Sequence, residues 1–293
     1  MPNLKEVRNR ISSVNSTKQI TSAMKLVSAA KLKKAQDAII KMRPYANKLK
    51  EILSNLSQTI DASEGAYAQQ REIKNVLLVV VTSNRGLCGA FNANVIKKAN
   101  SLIENEYAAQ YNSGGVSVIT VGKKATAYFS KKTGITHISS HDELFGELSF
   151  ENTVTVAERV MKLFTEGKVD RVDFIYNLFK SAGTQIVSNE QFLPVLPPQN
   201  IQDNTATQEY IFEPSKSEII ENLIPLSLKM QFFKVLLDSH AAEHGARMTA
   251  MHKATDNASE LLKNLKLSYN KARQAAITNE ILEIVAGADA LKG

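Results

Sequence analysis

At 293 residues with 43% apolar content, the chain is too apolar for a disordered tail and suits one large or two ordinary domains. Its longest apolar run, Val76 to Val81, falls far short of the roughly 18 to 20 residues a membrane span needs, and its single cysteine excludes an internal disulfide or a thiol switch within the chain. The net charge of +7 is local: residues 1–50 carry twelve Lys and Arg against Glu6 and Asp37, or +10, which leaves −3 for the other 243 residues.

A basic N-terminal segment can meet nucleic acid, anionic lipid or an acidic protein surface. It also imitates an organelle transit peptide, but lysine outnumbers arginine and no small-residue cleavage site follows, so a removable leader is not expected. From Leu4 the apolar residues Val7, Ile11 and Val14, then Ile20, Met24 and Val27, then Ile39, Met42 and Leu49 recur at three and four, the helical period. Asn3 with Glu6 forms a capping box. The pattern continues past Pro44 through "YANKLKEILSNLSQ", which predicts one helix of about 55 residues, disturbed at the proline and on the order of 80 Å long.

The middle of the chain changes character. "NVLLVVVT" (75–82), "VSVITV" (116–121), "THIS" (136–139) and "RVDFIYNLF" (171–179) read as strands, with "NANVIKKANSLIENEYAAQY" and "TVAERVMKLFTEG" as helices between them. That alternation predicts a mainly parallel sheet with helices on its faces. "SAGT" (181–184) reads as a hairpin turn into "QIVSNEQFLPV", an antiparallel edge strand. The polar stretch "PPQNIQDNTATQ" (197–208) reads as a linker.

Past Pro214, Ser215 and Glu218 offer a second capping box. Two interleaved series of sevens then run along the chain. One is Leu223, Met230, Leu237, His244, Met251, Ala258, Leu265, Ala272; the other is Leu226, Phe233, His240, Arg247, Ala254, Leu261, Ser268, Ala275, Leu282. A sustained heptad predicts a left-handed coiled coil. A clean helix after Pro225 would be about 65 residues, or roughly 100 Å. The seam turns polar at His240, His244 and Arg247, and Gly245 weakens the helix there. The pair in "HAAEH" could hold a metal, but the Glu is misplaced for the zinc motif and no third ligand is evident; a partner-facing or loosely paired stretch fits better.

"TSNRGLCGAFN" after the first strand admits four readings: a phosphate cradle, a nucleophile elbow, a reactive thiol or a structural turn. A Walker loop fails because Ser117 stands where its first glycine belongs and Gly122 is followed by two lysines. The dinucleotide fingerprint fails because Gly86 and Gly89 are only two glycines at the wrong spacing. Cys88 as nucleophile would need His137 or His141 brought to it by the fold; a small residue between glycines more simply packs a tight turn.

Three blocks taken together resemble one family. "STKQITSAMKLVSAAKL" in the first helix, "SNRGLCGAFN" after the first strand, and "ARMTAMHKATDNASELL" with "YNKARQAAITNEILEIVAGADAL" near the end are similar to the gamma subunits of F-type rotary ATP synthases, in the same order and along the whole chain. Asn84 stands where the family commonly has Asp, and Gln19 where a Lys usually precedes the Ile-Thr pair. The "AEHGARM" stretch is less rich in small residues than its family counterpart. The cysteine-bearing insert of the plastid form is absent.

The resemblance implies an α/β protein in which a long antiparallel coiled coil of N- and C-terminal helices carries an inserted Rossmann-like domain. Its parts would be helix 1–60, α/β domain and linker 61–208, and helix 209–293. It implies a non-catalytic rotor shaft with no cofactor and no metal of its own. Its expected partners are a hexameric ring of alpha and beta subunits that holds the catalytic sites, the epsilon subunit and the membrane rotor ring, and its expected place is peripheral, on the cytoplasmic face of a bacterial inner membrane. Nucleic acid is not an expected partner, since Tyr45 is the first helix's only aromatic residue. Carried onto this sequence, beta contacts would fall to Met24, Lys25, Arg247, Arg273, Gln274, Thr278, Glu280 and Glu283, with Arg273 and Gln274 as a hydrogen-bonding catch. The residues alone leave a second reading open, a nucleotide- or nucleic-acid-binding α/β protein with coiled-coil arms.

Overall fold

The computed structural model describes residues 4–57, 66–195 and 216–290. The capping residues Asn3 and Ser215 and the linker 197–208 lie outside these. The chain divides into two compact units, residues 1–28 with 248–293, and residues 29–247. Two long helices, α1 (Leu4–Ser57) and α6 (Lys216–Ala290), contribute residues to both.

Within residues 29–247 lies a five-stranded sheet of order β3-β2-β1-β4-β5. Its strands are β1 (Val76–Val81), β2 (Val116–Val121), β3 (Thr136–Ser140), β4 (Arg171–Phe179) and β5 (Gln185–Leu193). The first four pair in parallel, with Val76 opposite Val116 and Arg171, and β5 returns antiparallel to β4 with Phe179 opposite Gln185. Strand β1 is apolar at every position because both faces of the sheet are covered. Leu77, Val79 and Val81 join one core with Val160 and Phe164 of α5 (Phe150–Thr165) and Phe232, Val235 and Leu236 of α6. Val76, Leu78 and Val80 join the other with Val95 and Ala99 of α2 (Phe91–Ser101) and Phe129 of α4 (Lys123–Phe129).

Between α2 and β2 the helix loosens into a π-helical turn (Leu102–Glu106), followed by the short α3 (Ala108–Asn112). That path carries Tyr107 under the sheet, where its hydroxyl donates to the fully buried carboxylate of Asp173 beside Arg171. Burial pushes the Asp173 carboxyl above its usual range while the tyrosine and the arginine pull it back.

Gly122 explains the failed phosphate motif. At φ +102° it lets the end of β2 approach β1 so closely that a Cβ would stand 2.1 Å from the Thr82 carbonyl oxygen. Its own carbonyl accepts from Thr82 Oγ1 at 3.1 Å. The glycine before Lys123 and Lys124 is therefore a strand-packing residue. It opens α4, a seven-residue helix the sequence reading passed over because it is too short to show a period.

Both terminal helices run through their prolines. Pro44 lies on an exposed face of α1 together with Ile40, the residue whose carbonyl loses its donor, so water can satisfy that oxygen. Pro225 sits inside α6, where a later start was expected.

Within residues 1–28 and 248–293 the two helices pair antiparallel: Arg8 donates to the Tyr269 hydroxyl at 2.9 Å, Thr255 meets Thr21 at 2.9 Å, and Lys25 meets His252 at 3.5 Å. The α1 seam is a heptad the apolar count did not reveal. Val7 is buried, Val14 half-buried, Thr21 and Ser28 buried, and between them fall Ile11, Lys18 and Lys25, all half-buried. Ile20 and Val27, counted as core from the sequence, are 60% and 57% exposed. On α6 the series Met251, Ala258, Leu265, Ala272 faces inward, but its companion is shifted by one residue, to Thr255, Leu262, Tyr269 and Ala276. Leu261 and Leu282 of the predicted companion are 46% and 60% exposed.

Candidate functional site

The turn between β1 and α2 is organised by one arginine. Arg247 Nη2 donates to the Arg85 carbonyl at 2.9 Å and reaches that of Gly86 at 3.3 Å, and its Nη1 forms a 2.5 Å ion pair with Glu243 one helical turn earlier. Both charged side chains are under a tenth exposed. Pairing and hydrogen bonding repay burial that an isolated charge could not sustain. Leu87 (φ 62°) and Gly89 (φ 60°) turn the chain back, and Ser83 Oγ accepts from Asn92 Nδ2 at 2.8 Å to close the loop onto α2.

Cys88 is 1% exposed and packs against Phe91 and Ala242. Its sulfur accepts from Asn92 Nδ2 at 3.2 Å. Neither candidate base reaches it among the described residues: His137 is held by Thr120 at 2.9 Å, and His141 by Ser139 and Glu143. The thiol therefore lacks both access and a base, and the turn is a packed connection rather than a nucleophile elbow.

The polar middle of α6 is a buried hydrogen-bond chain. Arg247 Nη1 points at His244 Nδ1 at 3.4 Å, so that nitrogen accepts; Nε2 of His244 then donates to His240 Nε2 at 3.1 Å. The ring of His240 stacks on Phe145 with an interplanar angle of 12°. Burial, with Lys31, Lys34 and Arg247 nearby, pushes His240 down to about 4 and His244 down to about 3, keeping both neutral at pH 7. No group of three His, Cys, Asp or Glu residues is placed to hold a metal among the described residues. Gly245 has its own reason: a Cβ there would come within 3.1 Å of the Ala182 carbonyl in the β4–β5 turn. A small residue lets that hairpin approach the helix.

The residues expected to face partners fall into three groups. Arg273, Gln274, Thr278, Glu280 and Glu283 are all exposed near the end of α6, interleaved with Ile277, Ile281, Ile284 and Val285, which are 44 to 69% exposed. Thr278 donates its hydroxyl back to the Gln274 carbonyl at 2.9 Å. Met24 and Lys25 are half-buried on α1. Arg247 differs from all of these, being 7% exposed and engaged within residues 29–247. Sequence reasoning missed that clamp because its acceptors are backbone carbonyls some 160 residues away, which leave no side-chain signature. No described helix is long and apolar enough to cross a membrane.

Long helices at the N- and C-terminal ends of the chain, with a parallel-dominated sheet between them in sequence, define a mixed α/β protein. The chain belongs to the ATP synthase family, whose model matches residues 3–291. It is 58% identical over 294 residues to the ATP synthase gamma chain of Flavobacterium johnsoniae and 50% identical over 293 residues to that of Chlorobaculum tepidum, with full coverage of both partners in each case. Among solved structures it shares the fold of a chain of the Euglena gracilis mitochondrial ATP synthase OSCP/F1/c-ring assembly (TM-score 0.67, 19% identity, covering 98% of this chain and 94% of that one). It also shares the fold of a chain of the Tetrahymena thermophila central stalk/c-ring (TM-score 0.58, 24% identity, 80% and 99% covered).

Proposed function

We infer that this chain is the central-stalk rotor subunit of an F-type ATP synthase, coupling rotation of a membrane ring to ATP synthesis or hydrolysis at sites on beta subunits. The observation that carries the reading is its match, end to end and at more than half identity, to chains named ATP synthase gamma chain. The antiparallel pairing of α1 with α6 supports it, since an asymmetric helical shaft biases each surrounding subunit toward a different conformation as it turns. In this reading residues 1–60 and 209–293 are the shaft helices and 61–208 the domain at its foot, next to epsilon and the membrane ring. The assembly sits peripherally on the cytoplasmic face of the bacterial inner membrane.

Catalysis belongs to the beta subunits. Arg273, Gln274, Thr278, Glu280 and Glu283 form the exposed contact set at the shaft's end, with Arg273 offering a two-pronged fork to a carboxylate. Met24 and Lys25 are the contacts on α1. Arg247 joins them only if its clamp on Arg85 and Gly86 opens. The test is reconstitution with alpha and beta subunits: the chain alone hydrolyses no ATP, a complex assembles, and R273A with Q274A lowers the ATPase rate of that complex. ATP hydrolysis by the isolated chain, or failure of any complex to form, contradicts the reading.

A further inference from the structure

The residues that close β3 form a hydrogen-bonded series that neither the core nor the Arg247 clamp uses. Ser139 and His141 are two apart at the extended end of the strand, so their side chains share a face. His141 Nε2 lies 3.1 Å from Ser139 Oγ, and its Nδ1 lies 3.3 Å from Glu143 Oε1. A carboxylate only accepts, so in the neutral ring Nδ1 carries the proton and Nε2 accepts from the Ser139 hydroxyl. Hydroxyl, imidazole and carboxylate in that order are a nucleophile, its general base and the group that orients the base. The turn is held from several sides. The His141 amide donates to the Thr120 carbonyl at 2.9 Å, and the Glu143 carbonyl accepts from the Gly146 amide at 2.7 Å. Asp142 between them accepts from Asn84 Nδ2 at its carbonyl and from Thr126 Oγ1 at its carboxylate, at 2.8 Å each. A backbone fixed on both sides of His141 keeps its ring in place at little further entropic cost.

The strand also supplies a donor beside the hydroxyl. Strand β3 ends the sheet, and Ser140 stands opposite Thr120, whose carbonyl is bonded by the His141 amide. In a parallel pair that pattern turns the N–H of the residue opposite away from its partner strand, so the Ser140 amide points to the open edge. The amide of the residue after the nucleophile is the position from which α/β-hydrolases take one of their two oxyanion donors. One such donor gives part of the stabilisation of a complete oxyanion hole, which restricts reaction to esters whose leaving group departs readily. Ser139 is half-buried, and Ser140 beside it is exposed.

We propose that Ser139 is an acyl-accepting nucleophile for small aryl esters, with His141 as its base and Glu143 positioning the ring. Ser139 Oγ bonds to the ester carbonyl carbon as its proton passes to His141 Nε2. The bond from that carbon to the aryloxy oxygen then breaks, and the departing oxygen takes the proton from His141, leaving acyl-Ser139 and a phenol. The site is independent of rotary function and is tested on the full chain alone. The chain is incubated with p-nitrophenyl acetate at pH 8, and acetylation is located and timed by peptide mass spectrometry. Ser139 acetylates at least tenfold faster than Ser140, whose hydroxyl is more exposed but lies outside the series. H141Q slows acetylation of Ser139 at least tenfold and leaves that of Ser140 unchanged. E143Q, at a side chain 71% exposed and so harmless to folding, slows it several-fold, and E143D restores part of that loss. Shielding of buried Cys88 from a thiol reagent checks that each variant is folded. Acetylation of Ser139 no faster than that of Ser140, or an unchanged rate at Ser139 in both H141Q and E143Q, overturns the proposal.

Discussion

Helix α6 is one continuous element with two kinds of surroundings. From Leu228 to Arg247 almost every residue is buried or half-buried, polar ones included: Asp238, Ser239, Glu243, His244 and Arg247 all lie under a tenth exposed. From Met251 to Ala276 only one stripe is covered, and after it every residue up to Ala288 is exposed. The first stretch is enclosed on several sides, so apolar periodicity vanishes; Glu243, His244 and Arg247 pair inside it, while Ser239 Oγ has no partner among the described residues. The second pairs along a single line, so its heptad survives and its polar groups meet water. Helical propensity is similar in both; what differs is how many sides of the cylinder are occupied.

The largest expected effect separates the two stretches directly. Phe232 is fully buried, edge-on to Phe174 at 5.0 Å and to Phe192 at 5.9 Å. F232A should cost about 3–5 kcal/mol, and L262A, at an 8% exposed seam position, about 2 kcal/mol. Hydrogen exchange reads each loss locally, around β4 and β5 for the first and along residues 251–276 for the second. Equal costs would mean the enclosed stretch is no better packed than the seam.

Next comes the clamp. R247M leaves buried Glu243 and the Gly86 carbonyl unpaired, the Arg85 carbonyl keeping its bond from Ser83 Oγ at 2.6 Å, and should destabilise by about 3 kcal/mol. It should also open the 82–92 turn, so that Cys88, 1% exposed, reacts with a thiol reagent at least tenfold faster. An unchanged labelling rate would show that the turn holds without Arg247.

Acid should act on the enclosed stretch. His240 and His244 titrate at about 4 and about 3 when folded, against about 6.5 unfolded. Between those values the unfolded chain binds more protons, so stability falls as pH drops from 6.5 toward 4, by up to about 1.4 kcal/mol per pH unit for each histidine. Asp238 has the opposite sign: its folded value of about 6 lies above the unfolded one, so ionising it costs stability as pH rises from 3.8 through 6. Denaturation across pH 4 to 7 should show a shallower acid limb in H240Q/H244Q than in the parent. D238N should remove the opposing slope and raise stability above pH 6.

The smallest effect lies in the seam. Thr21 and Thr255 meet in a single hydroxyl pair at 2.9 Å, which Thr255 also shares with the Met251 carbonyl. Replacing both with valine keeps shape and removes both partners together. A change within about 0.5 kcal/mol is expected on thermal melting, against about 1 kcal/mol lost for T21A alone.

The sheet was legible because β1, buried on both faces, must be apolar at every position, and because a four-residue turn fixes β5 beside β4. The α1 heptad was not, since Lys18, Thr21, Lys25 and Ser28 occupy seam positions that an apolar count skips, while exposed Ile20 and Val27 mislead it. Counting sevens from Val7 would have found it. On α6 the companion series went wrong by one residue because Leu261 and Leu282 are apolar but face outward. The Arg247 clamp and the buried Asp238 depend on tertiary neighbours and have no local pattern to read.

A rotor subunit turns inside its complex. A cysteine at exposed Lys131 (K131C), labelled selectively because Cys88 is buried, can carry a bead on a complex fixed through its beta subunits. Unidirectional rotation is expected on adding ATP, stopping when ATP is withdrawn. An intact, ATP-hydrolysing complex whose bead only jitters about a fixed angle would contradict it.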